Sequence, residues 1–415
     1  MRWESPREAS ETLILNSVKK SYKEGTHRAK IPAETLEWLE KLYTKAGITR
    51  VAEITRLDRI GIPVFTAMRP LAAEGAVTVY TGKGHVSDEA KISAIMEGIE
   101  RFSGEPREVG MMKGSYESLA ASYDVLDPLS LNLPKLRRYS HKETLEWVKG
   151  YSLIREREVL VPAEAVFHPY RRENQLFRTN TNGLAAGNVL EEAILHGLLE
   201  VIERDAWSLF ELGALKGRDL QLEGCRLAEE LIRRFKGASV EVYIKDITSD
   251  IGIPTIAVAI DDELTKDPAL LSLGIGTHLI PEIALVRALT EAAQSRLTTI
   301  HGTREDTYKA VFARRIGYER MKRLNRRWFE RSDERTLISE LESFESDDIL
   351  EDINHVIKKL KSAGLKEVIV VDLTRSEVKV PAVRVIVPGL EVYALDKDRI
   401  GARAIRNSNV SRNSN

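Results

Sequence analysis

Three stretches of this chain carry the same polar spacing on an otherwise apolar helical pattern. Ser93, Glu97, Glu100 and Arg101 stand at i, i+4, i+7 and i+8, as do His196, Glu200, Glu203 and Arg204, and again Arg287, Glu291, Gln294 and Ser295. At about 100° per residue these positions fall within roughly a 100° sector, so each helix carries one continuous polar stripe. Asn188 and Glu192 extend the second stripe backwards in four-residue steps from His196. The other faces are apolar or small, with Ala90, Ile92, Ile95 and Ile99 on the first helix and Ile194, Leu198, Val201 and Ile202 on the second. A solvated face usually alternates its charges. Carboxylates on core-forming helices instead predict an internal polar cleft.

Around these helices the pattern is α/β, with strands and helices in alternation. Residues 34–46 read as an amphipathic helix and 48–55 and 62–68 as extended segments. A strand at 76–80 and a Thr-Gly-Lys-Gly turn lead to Ser87 as N-cap of a helix over 88–102. Residues 127–145 read as a proline-punctuated loop, 159–161 and 176–179 as strands, and 180–188 as turns before a long helix over 189–212. A helix at 226–236, strands at 239–244 and 255–260, the run 270–276 entering a helix at 282–298, and strands at 365–372 and 382–387 complete the pattern. Three regions follow: an N-terminal helical segment 1–59, a catalytic domain 60–405, and a polar tail 406–415 that reads as disordered.

Composition narrows the function. With 62 Lys+Arg against 63 Asp+Glu the net charge is -1, which argues against a whole-protein nucleic-acid binder or a polybasic membrane reader. Cys225 is the one cysteine, so intramolecular disulfides, Cys-based zinc sites and Cys-ligated clusters are excluded. No run approaches the ~18 apolar residues of a membrane span, and the first residues lack a signal-peptide core, so the cytoplasm is expected. Gln occurs only at 175, 221 and 294 amid abundant Arg and Glu, a composition that leans towards a heat-adapted source. Residues 314–335 carry nine Arg/Lys against four acids, and 340–352 carry seven acids and no base. They read as two solvated helical faces paired with each other, or as a docking surface for RNA or an acidic partner.

Glycines precede each striped helix: Gly82 and Gly84, Gly183 and Gly187, Gly274 and Gly276. Such turns let backbone N–H groups approach an anion at a helix N-terminus, although none completes G-x-G-x-x-G or a P-loop. If the stripes converge, Glu97, Glu100, Glu192, Glu200, Glu203 and Glu291 crowd one site and raise each other's pKa unless cations intervene. All-oxygen ligands point to Mg²⁺ between carboxylates and substrate phosphates, with Arg204 and Arg287 to pair phosphoryl oxygens. A glycosidase needs two acids rather than six, a di-iron bundle needs Glu-x-x-His pairs, and a serine nucleophile needs G-x-S-x-G. His196 shares the stripe yet reads as a packed core histidine, and Cys225 as a structural thiol.

The segments SAIMEGIER (93–101), NGLAAGNVLEEAILHGLLEVIERDA (182–206) and RALTEAAQSR (287–296) closely resemble the three signature segments of the YcaO superfamily. VIVPGLE (385–391) agrees, and GTHR (25–28) is similar to the N-terminal segment of archaeal members. The resemblance implies an ATP-binding fold of mixed sheets and helices without a P-loop. It implies that Glu97, Glu100, Glu200, Glu203 and Glu291 hold Mg²⁺, and that Ser93, Asn188, Glu192, Arg204, Arg287 and Arg28 contact ATP. Members activate a backbone amide of a protein or peptide: a nucleophile adds to the carbonyl carbon, ATP phosphorylates the oxyanion, and phosphate leaves. A side-chain nucleophile gives an azoline and sulfide gives a thioamide. Azoline-forming members commonly end in a proline-rich PxPxP tail, whereas this chain ends Ser-Arg-Asn-Ser-Asn and shows no fused leader-binding domain of the usual size. The resemblance therefore favours the archaeal thioamide-forming branch, whose members modify a glycine of methyl-coenzyme M reductase with a TfuA-type partner. It further implies an external sulfide source and a homodimer. The rivals are an azoline-forming cyclodehydratase and, from another class, a non-catalytic RNA- or partner-binding module using 314–335.

Overall fold

A computed structural model describes residues 13–107, 110–303 and 308–406. The polar tail expected at 406–415 lies outside the described residues except for Arg406. The strands of the first half are β1 (Arg50–Glu53), β2 (Val64–Met68), β3 (Val79–Lys83), β4 (Met112–Ser115), β5 (Thr144–Ser152), β6 (Arg157–Pro162) and β7 (Leu184–Ala186). Those of the second half are β8 (Arg218–Gln221), β9 (Val240–Asp246), β10 (Thr255–Asp262), β11 (Ser272–Thr277), β12 (Arg335–Leu337), β13 (Ile369–Asp372) and β14 (Ala382–Ile386). The helices begin with α1 (Pro32–Glu40), α2 (Ser87–Gly104), α3 (Tyr116–Leu119), α4 (Ala163–Val166), α5 (Leu190–Glu211) and α6 (Arg226–Gly237). They end with α7 (Pro281–His301), α8 (Tyr308–Ile316), α9 (Tyr318–Leu324), α10 (Arg326–Phe329) and α11 (Ile349–Ser362).

The strands form three sheets: β1-β2-β3, β11-β10-β9-β8-β12, and β4-β5-β13-β14-β7 with β6 on the free side of β5. The class is the expected mixed α/β, but every pairing is antiparallel except β8 with β12. β1, inside the segment 1–59, pairs with β2 in one sheet, so hydrogen bonds cross the 59/60 boundary. Each striped helix packs its apolar side on a different layer. The first, α2, buries Ala90, Ala94, Ile95 and Ile99 with Phe65 and Ala67 of β2. Helix α5 buries Ile194, Leu198 and Ile202 between Val370, Val383 and Val385 of one sheet and Ile353, Val356 and Leu360 of α11. Helix α7 buries Ala284, Ala288, Leu289 and Ala292 with Ile256, Val258 and Ile260 of β10.

Three of the six glycines, Gly82, Gly274 and Gly276, have a different purpose from the one expected. Gly82 sits inside β3, and Gly274 and Gly276 inside β11, so the Thr-Gly-Lys-Gly segment is mostly strand rather than turn. A Cβ on Gly82 would lie 2.0 Å from Ala94 N of α2, one on Gly274 2.1 Å from Ala288 O, and one on Gly276 2.2 Å from Ala284 O of α7. Absent side chains let these strands press directly on helix backbone, which brings the stripes towards one another. They are packing glycines, not anion-binding turns.

Other differences have local causes. Ser87 is the first residue of α2 rather than its cap, and the Glu89 carboxylate accepts from His85 N at 3.2 Å instead. Residues 176–179 form no strand because their groups bond to side chains and loops. Leu176 N donates to Glu164 at 2.5 Å, and Thr179 Oγ1 accepts from Tyr170 N at 3.3 Å. β5 begins inside the expected loop 127–145, and β4 and β8 are strands where none was expected. The two charge blocks do not pair with each other among the described residues. Arg314 bonds Asp267 at 2.8 Å and Lys322 bonds Asp261 at 2.6 Å, while Lys20 reaches Asp352 at 2.6 Å and Lys23 pairs with Asp347. The acidic block thus fastens the N-terminal segment to the start of α11. Among the described residues no helix is long and apolar enough to cross a membrane.

Candidate active site

The polar stripes of α2, α5 and α7 face a single cavity of about 810 Å³. Thr81 and Lys83 of β3, Tyr22 and Arg28 of the N-terminal segment and Ala313 of α8 also line it. All eleven residues singled out from the sequence line this space: Arg28, Ser93, Glu97, Glu100, Asn188, Glu192, Glu200, Glu203, Arg204, Arg287 and Glu291.

Their contacts divide into two groups. At one end Glu192 is held by neutral donors: Ala29 N at 2.9 Å, Asn188 N at 3.3 Å and Asn188 Nδ2 at 3.1 Å, with Arg28 Nε at 3.8 Å. Thr35 donates to Asn188 Oδ1 at 2.8 Å, so the amide is oriented from α1. Elsewhere cations stand between carboxylates. Arg101 lies 3.2 Å from Glu97 and 3.6 Å from Glu100, Arg204 lies 3.5 Å from Glu203 and 3.9 Å from Glu200, and Lys83 pairs with Glu291. Thr277 N donates to the second Glu203 oxygen at 3.1 Å. Arg204 Nε and Arg287 Nε are buried without a hydrogen-bond partner. A buried guanidinium edge with no acceptor is costly, and an anionic ligand is the natural remedy.

Burial dominates the proton equilibria. It pushes the Glu100 carboxyl well above its usual range and raises Glu200, opposed in each case by the neighbouring arginine. Burial, against the pull of Arg204, pushes Glu203 up to about 7. Glu291 is also buried, but Lys83 and Arg204 outweigh that and hold it below the usual carboxylate range. His196 lines the cavity instead of packing in the core as expected, and burial with Arg287 beside it holds the ring neutral, well below its ordinary value. One pH dependence follows. The folded Glu203 value lies above the free 4.5, so between the two the folded chain binds more protons than the unfolded one. Stability contributed by this group falls as pH rises through that window. Melting of the ligand-free protein should show a decline from about pH 4.5 to about 7 that is reduced in Glu203→Gln; identical profiles would contradict it.

Three site groups escaped the sequence reading. Lys83 seemed part of a turn, and Gln294, whose amide donates to Thr81 O, belonged to the third stripe but was assigned no role. Arg384 of β14 acts electrostatically on both Glu200 and Glu100. Its signal was available: a lone cation in the apolar run Ala382–Ile386.

The family model described as YcaO cyclodehydratase, ATP- and Mg²⁺-binding, matches residues 81–391, a span that contains all three striped helices. The chain belongs to the YcaO family. An uncharacterized protein of Methanothermobacter thermautotrophicus is 50% identical over 388 residues, 91% of this chain and 98% of that protein. An uncharacterized protein in the tfuA 3' region of Rhizobium leguminosarum bv. trifolii is 31% identical over 88% of this chain and 89% of its own length. Among solved structures, the YcaO from Methanopyrus kandleri bound with AMPPCP and Mg²⁺ superposes with a TM-score of 0.79 at 32% identity, covering 92% of this chain and 98% of that one.

The YcaO cavity suits the metal and nucleotide of its family in donor type. Its acidic groups are all carboxylates, the hard oxygen donors Mg²⁺ prefers. The raised proton affinities of Glu100, Glu200 and Glu203 report desolvation that a divalent cation would relieve. Among the described residues no three acidic or histidine side chains converge on one point. The carboxylates are instead spread along the wall with Arg101, Arg204 and Lys83 between them.

Proposed function

We propose that this chain uses ATP and Mg²⁺ to activate a backbone amide of a protein substrate and to replace its oxygen with sulfur. The observation that carries the ATP-dependent part is the cavity itself: three glutamate helices face one space in which Arg204 Nε and Arg287 Nε lack acceptors. Glu97, Glu100, Glu200, Glu203 and Glu291 would hold Mg²⁺, which would supply charge neutralisation for a bound triphosphate. Arg204 and Arg287 pair phosphoryl oxygens, while Arg28, Ser93, Asn188 and Glu192 position the nucleotide. Hydrosulfide adds to the amide carbonyl carbon, and the resulting oxyanion takes the γ-phosphoryl group, releasing ADP. Phosphate then departs with the former amide oxygen as the C=S bond forms and the sulfur proton passes to solvent.

The thioamide branch is supported by the relative in the tfuA 3' region, and a TfuA-type protein is the proposed partner. The proposed target is the glycine of methyl-coenzyme M reductase named by the family resemblance. The sulfur comes from outside the chain. Cys225 is 2% exposed at the start of α6, and burial pushes its thiol up to about 11, so it carries no reactive thiolate near neutral pH. A cytoplasmic homodimer, with 60–405 as its catalytic domain, belongs to the same proposal. The second reading, azoline-forming cyclodehydration, is favoured by the family's own description as a cyclodehydratase. Mass spectrometry of a treated substrate separates the two. Thioamidation adds the mass difference between sulfur and oxygen, whereas loss of one water would replace the thioamide reading with the azoline one.

A further inference from the structure

A second, smaller cavity of about 60 Å³ lies beside β14, lined by Phe177, Asn180, Asn182, Arg384 and Arg399 among apolar residues, with no Asp or Glu in its wall. Its two arginines are 4% and 5% exposed. Their hydrogen bonds go to backbone carbonyls. Arg384 reaches Ala165 at 3.0 Å and Asn180 at 2.9 Å, and Arg399 reaches Asn132 at 2.8 Å and Leu131 at 2.6 Å. Arg399 also stacks over the Phe177 ring at 3.9 Å. Arg384 Nη1 is buried with no partner, as is Asn182 Oδ1; turning that amide over would present its Nδ2 donors instead.

Two buried cations whose hydrogen bonds all end on neutral carbonyls are expensive. Glu100 and Glu200 act on Arg384 from the active-site side and Asp396 acts on Arg399, yet burial still holds both guanidinium groups down to about 10, with Arg399 adding to the push on Arg384. Water would satisfy the free N–H but bring no negative charge to offset the burial of two cations. At ~10–15 Å³ of such volume per water molecule, the space takes a few waters or one small ion. We infer that this cavity binds a small inorganic anion, coordinated by Arg384 Nη1 with Arg399 and Asn182 around it. The site is separate from the nucleotide cavity, and Arg384 couples the two electrostatically through Glu100 and Glu200. Hydrosulfide and phosphate, a substrate and a product of the proposed reaction, are its two candidate sources. The anion site itself does not depend on that reaction.

Two measurements on the full chain test it. Crystals soaked in sodium bromide should give an anomalous peak beside Arg384 Nη1; a map with no peak there would overturn the site. Thermal melts at constant ionic strength should show a saturable rise in Tm with sodium phosphate or with sodium hydrosulfide, whichever is the occupant. Arg399→Gln should lose that rise while keeping the wild-type far-UV circular dichroism spectrum. An equal rise in both proteins would place the anion elsewhere. If Arg399→Gln does not fold, the bromide map of the unaltered protein decides alone.

Discussion

Replacing Glu200 or Glu203 by Gln should reduce ATP turnover by at least about 100-fold, the scale on which loss of one preorganised charge-stabilising group acts. Both positions lie on the α5 stripe with Arg204 as their cationic neighbour, and both carboxyls are pushed up by burial. The amide keeps the shape of the acid, and at position 203 its oxygen can still accept from Thr277 N. It also removes a desolvated charge, so the ligand-free variants should melt no lower than the parent at pH 8. Lost turnover with retained melting separates a role in the site from a role in folding. Retained turnover in both variants would contradict the assignment of these carboxylates to the metal.

The largest expected effect on stability comes from a single methyl group. In Gly82→Ala the new Cβ would meet Ala94 N at 2.0 Å and Ala90 O at 2.4 Å, and both are backbone atoms of α2 that cannot rotate away. Overpacking typically costs about 1–3 kcal/mol, and contact with backbone places this site at or above the upper end. Gly237→Ala is the control. That residue ends α6 with nothing within 4 Å of a built Cβ, so replacement should be neutral or stabilising by up to ~1 kcal/mol through helix propensity. Denaturant midpoints read both. An unchanged midpoint for Gly82→Ala would mean that β3 does not press on α2 as described.

What the sequence disclosed follows from the range of its signals. Helical periodicity links residues four and seven apart, so the stripes of Glu97 and Glu100, Glu200 and Glu203, and Glu291 could be read directly, and the structure places them around one cavity. The glycines were legible as special positions but not as to cause. A packing glycine and an anion-binding turn look alike until the helix behind Gly82, Gly274 or Gly276 is in place. Contacts across long separations leave no periodic trace. Lys83 and Glu291 pair across 208 positions, and β13 pairs with β5 through Ile369 and Ser152. Arg384 offered a compositional hint within an apolar strand, yet its relation to Glu100 and Glu200 depends on how β14 meets α2 and α5. The charge blocks failed as a pair for the same reason. Their partners Lys20, Asp261 and Asp267 sit on elements remote in sequence.

The glutamate-lined cavity is proposed as an ATP site that requires Mg²⁺. Isothermal titration of the purified chain with AMPPCP tests it most directly, once with Mg²⁺ and once with a chelator. The expected result is saturable binding with Mg²⁺ that is lost with the chelator and lost in Arg287→Ala, whose buried Nε has no hydrogen-bond acceptor within the protein. Absence of binding in the presence of Mg²⁺ would contradict the account.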